Sequence, residues 1–183
     1  IDQATAIQQQ LYKGLFPGIS DNDLAALMAL NLSKIDGNTL KTANYTASEI
    51  AAFNTNKLTG VISLLGFGLS KEQAEVAFSL NISTQTDVDK FNNALSKDGI
   101  DLNVLKGLSS VSDIDTLVAS IDSGLSVEDA SNAASSGVDL GQVAFLSQLH
   151  STTQNSDLKD SISQVLADAA YTAPEHQNAL TVA

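Results

Sequence analysis

The sequence predicts an all-α fold of eight to ten short helices, in a compact bundle or a short helical-repeat (solenoid-like) stack. Apolar residues recur at helical spacing along most of the chain. A Ser or Thr with an acidic or amide residue three positions later precedes many of these apolar sets, as expected at a helix start. Glycines follow them, as expected at a helix end. No useful stretch alternates with the period of two that a strand requires.

The predicted helices follow one another with little intervening sequence. In chain order, the apolar sets are Leu24, Leu27, Met28 and Leu32; Ile50, Phe53, Leu58, Ile62 and Leu65; Val88, Phe91 and Leu95; Ile114, Leu117, Val118 and Ile121; Val143, Leu146 and Leu149; and Leu158, Ile162, Val165 and Leu166. The predicted starts are Ser20 with Asp23, Thr46 with Glu49, Ser70 with Gln73, Thr84 with Asp87, and Ser126 with Asp129. The predicted stops are Gly37, Gly68, Gly99, Gly107, Gly124 and Gly137.

One short pattern occurs three times, as Gly18-Ile19-Ser20, Gly68-Leu69-Ser70 and Gly124-Leu125-Ser126. The first two copies are 50 residues apart and the third follows after 56. Such recurrence is typical of stacked helical scaffolds that bind or assemble. The alternative is ordinary punctuation, with a glycine ending one helix and a serine capping the next.

A second pattern recurs as Gly99-Ile100-Asp101-Leu102 and Gly137-Val138-Asp139-Leu140, at distances from the first pattern that do not agree. It therefore reflects either diverged repeat units or independent capping. We expect a single helical domain over residues 1–172, with repeat units starting near 18, 68 and 124. Periodicity ends at Pro174, so residues 173–183 are expected to form a flexible tail or linker.

The composition excludes nucleic-acid binding. The net charge is −12, and all nine basic residues are lysine. Such a chain repels phosphate backbones and lacks the guanidinium fork that binds bases and phosphates. Hydrophobic residues reach 43%, which is too many for a disordered chain, whereas charged residues make up only 16%. Cysteine is absent, which excludes disulfides and thiolate metal sites.

No membrane span is expected. The most apolar run, Leu58 to Leu69, is too short to cross a bilayer and contains three glycines. It predicts a buried helix that ends at the glycines. The chain begins at Ile1 rather than Met, which suggests processing or a piece of a longer protein.

The acidic residues favour helix capping over catalysis or metal binding. The pairs Asp21/Asp23, Asp87/Asp89, Asp113/Asp115 and Glu128/Asp129 fall mainly in first turns of predicted helices, where free N–H groups favour a negative charge. The stretch Ser96 to Asp101 has part of a calcium loop but lacks its alternating ligands and its final Glu, so it predicts a turn. We predict no catalytic, cofactor or dedicated metal site, and only weak, non-specific binding of divalent cations.

The remaining motifs carry little chemistry. The two histidines, His150 and His176, are 26 residues apart without a fixed carboxylate partner, and His150 is expected near a helix C-terminus. Known catalytic signatures are missing from the sequence. Asn31, Asn44 and Asn81 begin glycosylation sequons, and the first and third fall at ends of predicted helices.

The overall composition, rich in Ala, Ser, Thr and Asp and without Cys or Arg, resembles the helical segments of large secreted bacterial surface proteins, including surface-layer and adhesin chains. We therefore expect a non-enzymatic helical module of an extracellular or cell-surface protein that anchors or assembles. Its expected partner is a cell-envelope polymer, another protein or a second copy of itself. The alternative is a helical carrier of a lipid or similar apolar ligand, enclosed by Phe53, Ile62, Phe67, Phe78 and Phe91.

Overall fold

The computed structural model describes residues 1–137 and 140–167, and in these ranges the helices are joined by turns and loops without a strand. The described helices are α1 (Gln3–Leu15), α2 (Asp21–Leu30), α3 (Lys34–Thr42), α4 (Ala47–Ala51), α5 (Thr55–Gly66), α6 (Lys71–Ser79), α7 (Gln85–Leu95), α8 (Leu102–Lys106), α9 (Val111–Asp122), α10 (Val127–Ser135), α11 (Leu140–Thr152) and α12 (Ser156–Ala167). The all-α prediction is confirmed. The described part has twelve helices rather than eight to ten, because α4 and α8 are single turns of five residues.

Helix starts lie where the capping patterns predict them. Ser20, Thr84 and Ser126 each accept a hydrogen bond from the backbone N–H three residues later, at 3.1–3.2 Å. Thr46 and Ser70 form reciprocal capping boxes with Glu49 and Gln73. Each cap satisfies backbone donors that would otherwise lack a partner and contributes about 1 kcal/mol.

Most predicted stops are also confirmed. Gly68, Gly99, Gly124 and Gly137 have positive φ, the left-handed conformation that favours glycine after a helix. Gly107 is the C-cap of α8 with ordinary φ. The prediction for Gly37 is wrong, because this residue is buried inside α3. A Cβ there would lie 2.6 Å from Leu15 Cδ1, so its role is close helix packing.

The three sequon asparagines end helices or turns. Asn31, Asn44 and Asn81 are the non-glycine residues with positive φ in the part of the chain that the structure describes. Asparagine tolerates this conformation better than other residues with a side chain. Each is followed by a buried residue, and the hydroxyl residue of the first two sequons caps the next helix. Helix punctuation therefore accounts for these sequons.

Contacts divide the chain into two compact units, Ile1–Phe78 and Ser79–Ala183. The core of the first includes Tyr12, Leu27, Leu40, Ile50 and Val61. Tyr12 is fully buried, and its hydroxyl donates to the Leu32 carbonyl at 2.7 Å. The second unit buries Val88, Phe91, Leu105, Ile114, Leu117, Ala133, Leu146 and Ile162. The single domain expected over 1–172 stays a prediction, and the tail expected at 173–183 lies outside the described residues.

A helix of five residues followed by one of twelve occurs twice along the chain. We call residues 18–67 segment 1, residues 68–123 segment 2, and the chain from 124 onward segment 3. Segment 1 contains helices of 10, 9, 5 and 12 residues, and segment 2 contains helices of 9, 11, 5 and 12. The second and fourth helices are in contact in both segments, α3 with α5 and α7 with α9. The sequence pattern did not reveal this order, because the single turns α4 and α8 carry too few residues for a helical period.

Candidate functional site

The densest group of charged and aromatic side chains in the described residues surrounds Tyr45, which lies in the turn before α4. Its ring is 4% exposed and meets Phe53 edge-on, with ring centroids 5.6 Å apart. The Tyr45 hydroxyl donates to Glu75 Oε1 of α6 at 2.9 Å. The turn before α4 is thereby tied to the first helix of the next segment.

Two lysines complete this group, which we call the Tyr45 cluster (Tyr45, Glu49, Phe53, Lys57, Lys71 and Glu75). Lys71 Nζ is 2.7 Å from Glu49 Oε1 and 5.0 Å from the Tyr45 ring centroid. Lys57 Nζ is 2.7 Å from Glu75 Oε2 and 5.0 Å from the Phe53 ring centroid. Both cations therefore contact a carboxylate and an aromatic face at once.

The pKa shifts of Tyr45 and Glu49 do not favour acid–base chemistry by these two groups. Burial, followed by the hydrogen bond to Glu75, raises the pKa of Tyr45 well above its ordinary value of 10.0. The hydrogen bond from Lys71 and the backbone N–H of Thr46 lower the pKa of Glu49. Tyr45 thus stays a neutral phenol and Glu49 stays ionised near neutral pH. A general acid or base would need a pKa close to the working pH instead.

A contact at the corresponding place in the second unit has no charge. Lys71 and Val127 are the first residues of α6 and α10, and each follows a serine of the recurring Gly-x-Ser pattern. Lys71 Nζ donates to the Asn44 carbonyl at 3.3 Å. Val127 Cγ2 lies only 2.9 Å from where a Gly99 Cβ would stand. Asn44 and Gly99 both have positive φ and precede a five-residue helix by three positions. The same kind of joint is therefore made once with charge and once by apolar packing.

Two ion pairs join α9 to α7 and to the turn that follows α7 in the second unit. Lys90 Nζ lies 2.9 Å from Asp115 Oδ2, and Lys97 Nζ lies 2.7 Å from Asp122 Oδ1. Both pairs span 25 residues, so the two helices run in the same direction. A shallow groove of about 230 Å³ lies between the pairs, lined also by Asn93, Ile114, Val118 and Ala119. These side chains are partly exposed, so each pair contributes at most about 1 kcal/mol.

The first unit has two larger open grooves. One, of about 540 Å³, is lined by Ile35, Asn38, Thr39, Thr42, Ala43, Leu65 and Leu69. The other, of about 640 Å³, follows residues 15–20, Asp23, Lys41 and residues 44–48. The first contains no ionisable side chain, and the second contains one carboxylate and one lysine. In the second groove the Ser48 hydroxyl donates to Asp23 Oδ2 at 2.8 Å, whereas an activated site would also need a group that orients the base.

Most residues of the acidic pairs lie in first turns of helices, as the sequence predicts. Asp21, Asp23, Asp87, Asp113, Glu128 and Asp129 all lie in first turns. Asp89 and Asp115 lie deeper in their helices, where Asp89 accepts from Gln85 at 2.8 Å and Asp115 pairs with Lys90. Sequence reasoning missed these uses of Asp89 and Asp115. In residues 1–137 and 140–167 no three metal-binding side chains form a group.

The remaining candidate residues lie in a turn, at a helix end or in the hydrophobic core. The predicted turn at residues 96–101 is confirmed, since Asp101 caps α8 and Lys97 pairs with Asp122. His150 lies in the last turn of α11, as expected, and His176 lies outside the described residues. Phe53 and Phe91 are buried, whereas Ile62 and Phe78 pack partly buried against the core of the first unit and Phe67 is half-buried. Core packing thus uses most of the side chains considered for an apolar ligand.

Exposed apolar side chains are few and lie on three helices or beside them. Among the described residues, the large hydrophobic side chains that are exposed are Ile1, Ile7, Ile35 and Phe145. Ile1 precedes α1, Ile7 lies within it, and Ile35 and Phe145 lie on α3 and α11. Within the same described ranges, no helix has both the length and the apolar character needed to cross a bilayer.

Comparison with known proteins gives no relative. No family model, no curated protein and no solved structure matches this chain.

Proposed function

We propose that this chain is a non-enzymatic helical module of a secreted or cell-surface protein, with a role in anchoring or assembly. The observation that carries the proposal is the recurring joint in which the first residue of α6 or α10 packs against the turn before a five-residue helix. Helical units that stack through equivalent contacts form extended scaffolds whose surfaces bind or assemble. We infer that segments 1 to 3 derive from such a unit.

The use of charged side chains supports a non-enzymatic role. Four of the nine lysines form ion pairs among the described residues, and carboxylates cap helix starts or join neighbouring helices. Side chains in such ion pairs and helix caps stabilise the fold, which supports a structural role for them rather than a catalytic one. The Tyr45 cluster is the strongest case, because the raised pKa of Tyr45 and the lowered pKa of Glu49 keep these two groups in states unsuited to proton transfer near neutral pH.

The distribution of charge indicates how assembly would proceed. Residues 1–78 carry five lysines and seven carboxylates, a net side-chain charge of −2. Residues 79–183 carry four lysines and fourteen carboxylates, a net charge of −10. The second units of two copies therefore repel each other at low ionic strength. Assembly through the second unit would therefore use divalent cations or a cationic or polar partner of the cell envelope.

Light scattering tests this proposal with and without millimolar calcium at constant ionic strength. Co-sedimentation with purified, insoluble cell-envelope polymer is measured in the same buffers. We expect larger particles in calcium, co-sedimentation with the polymer, or both. Sodium chloride matched for ionic strength is the control for simple charge screening. A chain that stays monomeric in every buffer and sediments with no polymer contradicts the proposal and favours the lipid carrier, which native mass spectrometry of the purified protein would detect.

A further inference from the structure

The three Asn-x-Ser/Thr sequons have the same backbone shape. In each, the asparagine is exposed with positive φ, the residue after it is buried, and the hydroxyl residue is exposed. The amide and the hydroxyl therefore lie on the solvent side of a turn between two helices. This is the surface position expected of an acceptor for an N-linked glycan in a secreted chain. The three sequons differ in whether these polar side chains already have partners.

In the first two sequons the folded chain already uses the polar side chains. Asn31 Oδ1 accepts a hydrogen bond from Gln8 Nε2 at 2.8 Å, and Ser33 Oγ caps the start of α3 at 3.1 Å. Thr46 Oγ1 accepts from the backbone N–H of Glu49 and donates to Glu49 Oε2, both at 3.2 Å. Binding of either sequon to a transferase has to displace these contacts in the folded chain.

The third sequon is released from capping by one additional residue. Thr84, not Ser83, is the N-cap of α7, and its hydroxyl accepts from the backbone N–H of Asp87 at 3.2 Å. The N-cap follows the sequon asparagine by two residues before α3 and by three before α7. In the part of the chain that the structure describes, neither the Asn81 amide nor the Ser83 hydroxyl makes a side-chain hydrogen bond. Helix capping thus explains Thr84 and leaves Ser83 without a polar contact.

We propose that Asn81 is the acceptor of an N-linked glycan, with Ser83 as the hydroxyl residue that a transferase recognises. This inference rests on the proposed secreted or cell-surface function, because N-glycans are added to chains that leave the cytosol. The co-substrate is an activated glycosyl donor, a sugar joined through its anomeric carbon to a diphosphate. Asn81 Nδ2 bonds to that carbon and gives up a proton to a base of the transferase. The diphosphate leaves with the electron pair of the broken carbon–oxygen bond.

The surroundings of the three asparagines favour the same site. Asn81 is exposed in the turn between α6 and α7, so a sugar on its amide projects into solvent. The Asn31 amide is held against Gln8, so a sugar there would crowd α1. The Asn44 carbonyl accepts from Lys71 Nζ at 3.3 Å, so a sugar there would lie beside the Tyr45 cluster.

Mass spectrometry of the chain purified from the cells that produce it tests the proposal. Cleavage after lysine places the three sequons on separate peptides, residues 14–34, 42–57 and 72–90. Enzymatic release of N-glycans in water labelled with heavy oxygen converts a glycosylated asparagine into a labelled aspartate. We expect the label on peptide 72–90 and not on the other two. An unlabelled peptide 72–90 overturns the inference, and so does equal labelling of all three peptides, because contacts in the folded chain then do not select the site.

Two alanine variants at adjoining positions separate recognition from folding. Ser83→Ala removes the sequon hydroxyl and keeps the cap, so it should abolish the glycan and leave the melting temperature of the deglycosylated chain unchanged. Thr84→Ala is the matched control, which should lower the melting temperature and leave the glycan in place. A Ser83→Ala chain that still carries the glycan contradicts the proposal. If the chain assembles in calcium or binds polymer while Asn81 is unmodified, the glycan inference fails and the proposed function stands.

Discussion

The joint between α5 and α6 can be tested by adding one methyl group. Gly60 lies within α5, and a Cβ at this position would be 2.6 Å from Phe78 Cε2 and 2.7 Å from Cδ2. The Phe78 ring packs partly buried against the core of the first unit. Gly60→Ala therefore requires the aromatic ring or the helix to move, because two carbon atoms at this distance overlap.

Two opposing effects set the size of the change. Alanine is favoured over glycine inside a helix by about 1 kcal/mol. Forcing an extra carbon into a well-packed site costs about 1–3 kcal/mol. We expect Gly60→Ala to lower the free energy of unfolding by up to about 2 kcal/mol. Gly66→Ala in the same helix is the matched control, because no atom lies within 4 Å of its Cβ position. Only the helix preference remains there, so this variant should gain up to about 1 kcal/mol.

Urea unfolding followed by tyrosine fluorescence measures both variants. Two of the three tyrosines, Tyr12 and Tyr45, lie in the first unit, and the chain has no tryptophan. A double-mutant cycle with Phe78→Leu assigns the cost, because the smaller side chain should relieve most of the Gly60→Ala penalty. If Gly60→Ala stabilises the chain as much as Gly66→Ala does, or if its cost is unchanged when it is combined with Phe78→Leu, the ring does not press on Gly60 and the reasoning is refuted.

Two further predictions concern the turn before α3 and the Tyr45 cluster. Asn31 has φ 52, a left-handed conformation that alanine adopts less readily than asparagine or glycine. In urea unfolding, Asn31→Ala should therefore lower the unfolding free energy by about 1–2 kcal/mol, and Asn31→Gly should change it little. Equal losses in the two variants would contradict an origin in the backbone conformation. The raised pKa of Tyr45 stabilises the folded state fully below the ordinary value of 10.0, and this stability is lost as pH rises above it. The melting temperature of the wild type should therefore fall more steeply above pH 10 than that of Tyr45→Phe, and parallel curves would show that Tyr45 titrates normally.

Local signals in the sequence were enough to predict the helix starts and most of the stops. A cap such as Ser126 accepts from a backbone N–H three residues away, so the pattern contains both partners. Gly37 shows the limit of this reasoning. A glycine that ends a helix and a glycine that admits a neighbour are the same residue in the sequence, and Leu15, which excludes a side chain there, is 22 positions earlier.

The ion pairs and the Tyr45–Glu75 hydrogen bond could not be predicted in the same way. The partners in these contacts are 18 to 30 residues apart, and the lysines have no local pattern that selects one carboxylate over another. The composition of α1 is visible in the sequence, but the exposure of Ile7 is not, because it depends on which neighbours reach α1. The sequence therefore predicts where helices begin and end, whereas the contacts between helices are known only from the structure.

Ordinary capping explains the recurring Gly-x-Ser strings taken singly, but it does not explain the order of the helices between them. A cap fixes where a helix begins and leaves its length free, yet a five-residue helix followed by one of twelve occurs in both segments 1 and 2. The distance from the N-cap of that long helix to the next Gly-x-Ser pattern is 14 residues in both segments, from Asn54 to Gly68 and from Ser110 to Gly124.

Segment 2 exceeds segment 1 by six residues, and the location of this excess argues for a shared origin. Four of the six lie between the N-cap of the second helix and the turn before the five-residue helix, as the intervals Ser33–Asn44 and Thr84–Gly99 show. Helix α7 is two residues longer than α3, and the other two of these four residues lie in the turn that follows α7. Independent capping has no reason to place most of the difference in this one interval and to preserve the joints at Asn44 and Gly99 after it. A duplicated unit that lengthened in this interval would account for both.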